Sequence, residues 1–129
     1  MKSALFALLF SLSSLACAAD AKFADITHAE LTAAIKAKSV VVIDVNGSDS
    51  FKAGHIPTAV DFDAQEKQLA AVLPKDKSAL VVAYCGSEQC PAWKSAATAV
   101  AALGYTNVKH YTPGLAGWKE AGGELQKQD

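Results

Sequence analysis

The sequence predicts an α/β domain built on a mainly parallel central sheet with helices on its faces. Two continuous apolar runs rich in β-branched residues, at 40–43 and 79–84, are typical of strands that are buried on both faces. Segments in which apolar residues recur at helical spacing alternate with these runs. The chain after residue 18 has the length of one ordinary domain, and no Pro/Gly/Ser-rich linker divides it, so we expect a single domain.

The first residues are typical of a secretory signal peptide. A lysine precedes an apolar run at 4–15, which is too short to span a bilayer, and the small residues at 16–18 supply a cleavage pattern. We therefore predict a signal peptide over 1–18 and an exported protein, periplasmic or secreted, without stable membrane insertion after cleavage. Lipid anchoring through Cys17 is the alternative, although Ser14 stands where lipoprotein signals usually carry leucine.

Composition argues against several classes of function. Removal of 1–18 takes away one lysine, so 11 lysines face 13 acidic residues and the net charge becomes −2. Such a near-neutral chain is not expected to bind nucleic acid. All 12 basic residues are lysines, so arginine, the planar two-pronged ligand of phosphate, is absent. No glycine-rich nucleotide fingerprint occurs, and we expect neither phosphoryl chemistry nor a nucleotide cofactor.

The elements of the first half can be placed in order. Thr27 and Glu30 form a capping-box signal that begins a helix of about three turns. The run at 40–43 forms the first buried strand and ends at Asp44. A second helix is predicted over 64–73, because its leucines and valine recur at helical spacing and a proline follows.

The second half repeats the alternation of strand and helix. The run at 79–84 forms the second buried strand. Pro91 suits the first position of the next helix, and Gly104 supplies a left-handed stop. A short strand over 107–111 and a final short helix over 114–121 complete the domain.

Cys85 and Cys90 bracket the stretch that carries chemistry. Cys85 directly follows a predicted strand, and ligands of parallel sheets bind at the carboxyl ends of strands, where Asp44 also lies. A helix is predicted to begin just after Cys90. The amides and dipole of a helix start lower the pKa of a nearby cysteine and make its thiolate a usable nucleophile. Cys85 is therefore the candidate catalytic residue.

Four stretches of the chain resemble the rhodanese-like domain family of sulfurtransferases. They are the strand at 42–45, the glycine-histidine-isoleucine-proline turn within 51–60, the strand-end Cys85, and the closing segment over 104–122. Together they identify 22–125 as a single rhodanese-like domain, which allows for signal cleavage as late as residue 21. The residues at 126–129 form a polar tail that is expected to fray.

The resemblance implies that the protein is an enzyme that moves sulfane sulfur from a small donor to a thiol or cyanide-like acceptor. The Cys85 thiolate attacks the donor and holds the sulfur as a persulfide, which is an anion and needs amide donors. A curled loop after the cysteine is expected to supply them. This persulfide-binding loop consists of Gly86, Ser87, Glu88, Gln89 and Cys90. No cofactor is implied, and His28 and His110 lack the spacing to cysteine of a zinc site, so no metal is predicted.

The donor and the role of Cys90 stay open at this point. Gly86 and Ser87 are similar to the loop opening of mercaptopyruvate sulfurtransferases, whereas the carboxylate of Glu88 is expected to repel a doubly charged donor such as thiosulfate. Cys90 either attacks the Cys85 persulfide, leaving a disulfide that an external thiol reductant reopens, or is a small core residue. A disulfide requires Cα atoms within about 7 Å.

Two further functions are alternatives to sulfur transfer. The protein could be a thiol–disulfide redox protein that cycles the Cys85/Cys90 pair, or a binding module that has kept the fold and lost the chemistry. Asp44 and His55 are predicted to give structural support, Asp44 as a buried hydrogen-bond acceptor and His55 by tying down backbone. General-base catalysis by His55 is the alternative role for that residue.

Overall fold

The computed structural model describes residues 23–129, so the predicted signal peptide lies outside the described residues. Five strands form one sheet: β1 (Ala24–Asp25), β2 (Val40–Asp44), β3 (Val60–Asp61), β4 (Leu80–Tyr84) and β5 (Val108–His110). Every neighbouring pair is parallel, and the strand order is β1-β5-β4-β2-β3. The predicted α/β fold with a parallel sheet is confirmed, and the two apolar runs form the adjacent inner strands β2 and β4.

Six α-helices occur in the part of the chain that the structure describes. They are α1 (His28–Lys36), α2 (Ser48–Ala53), α3 (Phe62–Gln65), α4 (Leu69–Val72), α5 (Trp93–Ala102) and α6 (Gly114–Glu120). The capping box of α1 is confirmed: the Glu30 N–H donates to the Thr27 hydroxyl at 3.1 Å, and the Thr27 N–H donates to the Glu30 carboxylate at 3.0 Å. Within residues 23–129, none of the helices is both long enough and apolar enough to cross a bilayer.

The prediction of one helix over 64–73 is wrong. That stretch is divided among the end of α3, a 3₁₀ turn at Glu66–Gln68, and α4. Phe62, Leu69 and Leu73 are buried, whereas the residues between Phe62 and Leu69 include no large apolar side chain. Short helices depend on tertiary packing for their stability, and this intervening turn has none to hold it in a regular α-helix.

The start of α5 also differs from the prediction. The helix begins at Trp93, two residues after the proline that was expected to open it. The Lys94 N–H donates to the Pro91 carbonyl and the Ser95 N–H to the Ala92 carbonyl, both at 3.1 Å. The chain therefore enters the helix through turns whose hydrogen bonds join residues three positions apart. The left-handed stop after the helix is confirmed, with Gly104 at φ +97°.

Hydrophobic cores lie on both faces of the sheet because alternate strand residues point in opposite directions. Ile43, Val81 and Ala83 pack on one face with α3, α4 and α5. On the other face, Val42 and Val82 pack with residues of α1, α2 and α6. The central strands are thus covered on both faces. The accessible edge of the sheet consists of the carboxyl ends of these strands and the loops that follow them.

The C-terminal tail is ordered against the chain, contrary to the expectation that it frays. The backbones of His55 and Gln126 exchange two hydrogen bonds of 2.9 Å, and the Gln128 N–H donates to the Lys52 carbonyl at 3.2 Å. The Gln126 side chain also accepts a bond from the Thr58 N–H at 3.0 Å. The turn after α2 leaves backbone groups without partners in a helix or strand, and the tail satisfies them.

A buried hydrogen-bonded unit joins the carboxyl ends of β2 and β4. Asp44 and Tyr84 are partners in the strand register, and Asp44 is only 1% exposed. The Tyr84 hydroxyl donates to the Asp44 carboxylate and accepts the Ile56 N–H at 3.0 Å, while the Asn46 N–H donates to the same carboxylate at 2.7 Å. Burial raises the pKa of Asp44, and these two bonds oppose the rise.

Tyr84→Phe should lower the free energy of unfolding near pH 7 by about 1–3 kcal/mol, because the Ile56 N–H and the Asp44 carboxylate both lose a buried partner. Loss of the hydroxyl should also raise the folded-state pKa of Asp44 further above its ordinary 3.8. Between 3.8 and the raised pKa the folded state binds more protons than the unfolded state, so stability falls as pH rises. The destabilisation should therefore be larger at about pH 7 than at about pH 3.

Urea unfolding of the variant and the wild type at both pH values measures this difference. Tyr105→Phe is a matched control, since its hydroxyl donates to the Pro74 carbonyl and to no carboxylate. Its cost should lack this pH dependence. A Tyr84→Phe cost that is equal at the two pH values would contradict the coupling to Asp44.

Candidate functional site

Cys85 lies directly after β4 and is completely buried, with 0% of its surface exposed. Cys90, at the other end of the loop, is partly exposed, and α5 begins three residues later. Between the cysteines, the first two residues are half-buried and the next two, Glu88 and Gln89, are exposed. The loop thus lies at the carboxyl edge of the sheet, between a buried sulfur and solvent.

The structure joins Cys85 and Cys90 in a disulfide. Their Cα atoms are 6.0 Å apart. Disulfides usually span Cα separations of about 4.4–6.8 Å, so the loop curls enough to satisfy the geometric condition. The two cysteines therefore form one disulfide-bonded pair of sulfurs at the edge of the sheet.

The N–H groups of this loop are largely without protein acceptors. Only the Cys90 N–H donates within the loop, to the Ser87 carbonyl at 3.3 Å. The N–H groups over 86–89 donate to no acceptor among residues 23–129. Successive amides without protein acceptors can bind an anion where their N–H groups converge. The start of α5 adds the positive end of a helix dipole on the same side of the sheet.

The carbonyl groups of the loop are held by the last helix. The Leu115 N–H donates to the Cys85 carbonyl at 2.8 Å, and the Ala116 N–H donates to the Gly86 carbonyl at 2.9 Å. The C=O and N–H of a trans peptide point in opposite directions, and residues 23–129 contain no cis peptide. The N–H groups of Gly86 and Ser87 therefore point away from α6.

Gly114 lets α6 approach the loop this closely. Its φ is +65°, and a Cβ atom there would lie 2.7 Å from the Cys85 carbonyl oxygen and 2.8 Å from the Ser87 nitrogen. Any other side chain would push the loop away. Sequence reasoning placed this glycine in the closing segment and missed its role in the site. Its position directly after Pro113, at the start of a helix, was the available signal.

A groove of about 580 Å³ opens between the loop and α6. It is lined by Ser87, Glu88, Gln89, Pro113, Ala116, Gly117, Glu120 and Ala121. Two of these side chains are charged, Glu88 and Glu120, and both are acidic and exposed. The groove therefore presents negative charge beside the cysteine pair, and Glu120 is a contributor that the sequence alone did not single out.

His55 lies at the turn after α2 and is 4% exposed. Its Nδ1 lies 2.6 Å from the Phe51 carbonyl oxygen, to which it donates, and its ring stacks on Phe51 at 3.7 Å. The N–H of the next residue, Ile56, donates to the Tyr84 hydroxyl, so the turn is connected to the strand that ends at the loop between the two cysteines. The side chains of His55 and Asp44 thus make buried hydrogen bonds within the fold, as structural support requires.

Trp93, His110 and His28 take part in packing. Trp93 stacks on His110 at 3.6 Å and meets Phe23 edge to face at 6.0 Å. Burial lowers the pKa of His110, which favours its neutral ring. His28 is on the far face and pairs with the Tyr111 hydroxyl at 3.1 Å. Among residues 23–129 there is no group of three or more His, Cys, Asp or Glu residues placed to hold a metal ion.

Comparison with known proteins gives one family. The rhodanese-like domain family matches residues 27–121. A solved structure from Bacillus halodurans is 26% identical, with a TM-score of 0.65, over 81% of this chain and 77% of that chain. A rhodanese-related protein from Thermoplasma volcanium is 20% identical, with a TM-score of 0.64, over 82% of this chain and 100% of that chain.

An enzyme is among the proteins of similar fold. The 3-mercaptopyruvate sulfotransferase of Escherichia coli is 18% identical, with a TM-score of 0.66, over 83% of this chain and 51% of its own length. A search of curated protein sequences found no significant match. The family match spans most of the chain and contains the cysteine pair, the loop and α6. The chain belongs to the rhodanese-like domain family.

Proposed function

We propose that this protein is a sulfurtransferase that carries sulfane sulfur as a persulfide on Cys85. The observation that carries the proposal is a buried strand-end cysteine followed by a loop whose N–H groups over 86–89 have no acceptor among the described residues. Membership of the rhodanese-like domain family supports the same reaction type. The partners we propose are a small sulfur donor and a thiol or cyanide-like acceptor.

The first half-reaction uses only groups of this chain. In the reduced protein the Cys85 thiolate attacks the sulfane sulfur of the donor, whose bond to that sulfur breaks, and the leaving group departs with the electron pair. The product is a persulfide anion in a buried position. An unpaired buried charge is costly, so its stabilisation falls to the loop amides and to the start of α5.

The second half-reaction reverses the first. An acceptor nucleophile attacks the outer sulfur of the persulfide, the sulfur–sulfur bond breaks, and the Cys85 thiolate is regenerated. Because the amides stabilise both the persulfide and the thiolate, neither step needs a general base. The His55 ring is engaged by the Phe51 carbonyl and the Phe51 ring, and the proposed mechanism gives it no part in either step.

A second candidate function is thiol–disulfide exchange. The observation that favours it is the Cys85–Cys90 disulfide itself, with a Cα separation of 6.0 Å. In that function the pair cycles between dithiol and disulfide without carrying sulfur. The two candidates differ in what the variant lacking Cys90 does with a sulfur donor, since only a sulfurtransferase keeps activity there.

Cys85→Ser should reduce sulfur transfer to the uncatalysed rate, because the hydroxyl is not a usable nucleophile for sulfane sulfur. Cys90→Ser should keep transfer from a donor to cyanide. Steady-state thiocyanate formation with thiosulfate, mercaptopyruvate and polysulfide in turn measures both variants. Full transfer by Cys85→Ser would overturn the proposal. Inactivity of Cys90→Ser with all three donors would favour thiol–disulfide exchange.

Gly114→Ala should slow transfer by about 100-fold, because the new Cβ displaces the loop and misplaces its amides by a fraction of an ångström or more. It should also raise the pKa of the Cys85 thiol, since the thiolate loses amide donors. The pH dependence of Cys85 alkylation, measured in the Cys90→Ser background, reports that pKa separately from stability.

Gly122→Ala is the matched control for this variant. Gly122 also has a left-handed backbone, with φ +80°, but a Cβ atom there has no neighbour within 4 Å. Both variants should therefore incur a similar backbone strain of about 1–2 kcal/mol, and only Gly114→Ala should change the thiol pKa. Equal effects of the two variants on transfer and on alkylation would reject the positioning role of Gly114.

Glu88→Gln should lower the KM for thiosulfate by about threefold, because it removes one negative charge beside the route of a dianion. The KM for a neutral organic trisulfide should change little. Glu124→Gln is the control, since that residue lines a different groove, beside Trp118. Steady-state kinetics at low and high salt measure the effect, which salt should weaken. An equal change for charged and neutral donors would show that Glu88 does not select by charge.

A further inference from the structure

We propose that the Cys85–Cys90 disulfide is reopened from the Cys90 side: an external thiolate attacks the Cys90 sulfur, and Cys85 leaves as the thiolate. The inference rests on the proposed function, because it assigns the disulfide to a cycle in which Cys90 removes the sulfur carried by Cys85. In this cycle the loop releases sulfide, and an external thiol then regenerates the Cys85 thiolate.

The two cysteines differ in their accessibility to a thiolate from solvent. Thiol–disulfide exchange depends on which sulfur the attacking thiolate can reach. Cys85 is 0% exposed, beneath a loop whose carbonyl groups are bonded to α6, with Gly114 in close contact. Cys90 is partly exposed and is followed by the exposed residues Pro91 and Ala92. A thiolate from solvent therefore reaches the Cys90 sulfur first.

The two cysteines also differ in how well the protein can stabilise their thiolates. The sulfur whose thiolate is more stable leaves faster. The N–H groups that follow Cys85 in the chain, over 86–89, have no acceptor among residues 23–129 and are free to stabilise a thiolate there. The Cys90 N–H is already bonded to the Ser87 carbonyl at 3.3 Å, and the next residue is a proline without an N–H.

The cycle has three steps. The Cys90 thiol attacks the inner sulfur of the Cys85 persulfide anion, its proton passes to the departing sulfur, and hydrosulfide leaves as the disulfide forms. An external thiolate then attacks the Cys90 sulfur, the bond between the cysteine sulfurs breaks, and Cys85 takes the electron pair. A second thiolate displaces the first from Cys90. Two thiols are thus oxidised to one disulfide for each hydrosulfide released.

The direction of attack can be read from the first mixed disulfide. The oxidised wild-type protein is mixed briefly with limiting cysteamine, quenched in acid, and its free thiols are alkylated. Cleavage after Glu88 places the two cysteines in separate peptides for mass spectrometry. We expect cysteamine on Cys90 and the alkyl group on Cys85, in at least about tenfold excess over the reverse pattern, which corresponds to about 1.4 kcal/mol.

Variants that keep one of the two loop cysteines provide a second measurement, in which the disulfide cannot move between Cys85 and Cys90. Cys85→Ser and Cys90→Ser, both prepared without residues 1–18 and so without Cys17, are each loaded with cystamine to give a mixed disulfide on the remaining cysteine. The disulfide on Cys90 should be reduced by added thiol at least about tenfold faster than the one on Cys85, because Cys90 is partly exposed and Cys85 is buried.

Three results would overturn the proposal: cysteamine mainly on Cys85, equal labelling of both cysteines, or an oxidised protein without a Cys85–Cys90 disulfide. None of these depends on sulfur transfer, which is measured separately by the activity of Cys90→Ser. Failure of the proposed direction and failure of the proposed function are therefore distinguishable.

Discussion

The candidate site depends on two backbone hydrogen bonds from the start of α6. Two N–H groups of the helix donate to the Cys85 and Gly86 carbonyl oxygens at N···O distances of 2.8 and 2.9 Å. The N–H groups of the same two loop peptides therefore point away from the helix. The close approach is possible because residue 114 is a glycine with a left-handed backbone. A segment almost 30 residues after the cysteine thus determines the direction in which the loop amides point.

The buried carboxylate of Asp44 also helps to hold this edge of the sheet. Asp44 and Tyr84 close the carboxyl ends of the two central strands, and Ile56 connects the preceding turn to them. This unit positions the last residue before Cys85 without touching the sulfurs. The cysteine therefore sits between a rigid strand end and a loop held by α6, as a preorganised anion site requires.

The sequence was sufficient for the parallel sheet, the capping box at Thr27 and the placement of Cys85, because each depends on local periodicity or on a strand end. It failed over 64–73, where the absence of large apolar side chains between Phe62 and Leu69 breaks the helix. It also failed for the tail, whose bonds to the turn at His55 join residues far apart in the chain. The contacts of Gly114 and the acidic groove depend on long-range packing that no local pattern encodes.

Sulfur carried on Cys85 would add to the mass of the protein after exposure to a donor. Reduced wild-type and Cys90→Ser proteins are treated with thiosulfate, mercaptopyruvate or polysulfide, their thiols are trapped by alkylation, and the modified cysteine is mapped. We expect one added sulfur atom on Cys85 in both proteins. The persulfide should persist longer in Cys90→Ser, because that variant lacks the resolving thiol. Loss of two hydrogens in the wild type, with no added sulfur on Cys85 in either protein, would contradict the proposal that Cys85 carries sulfur.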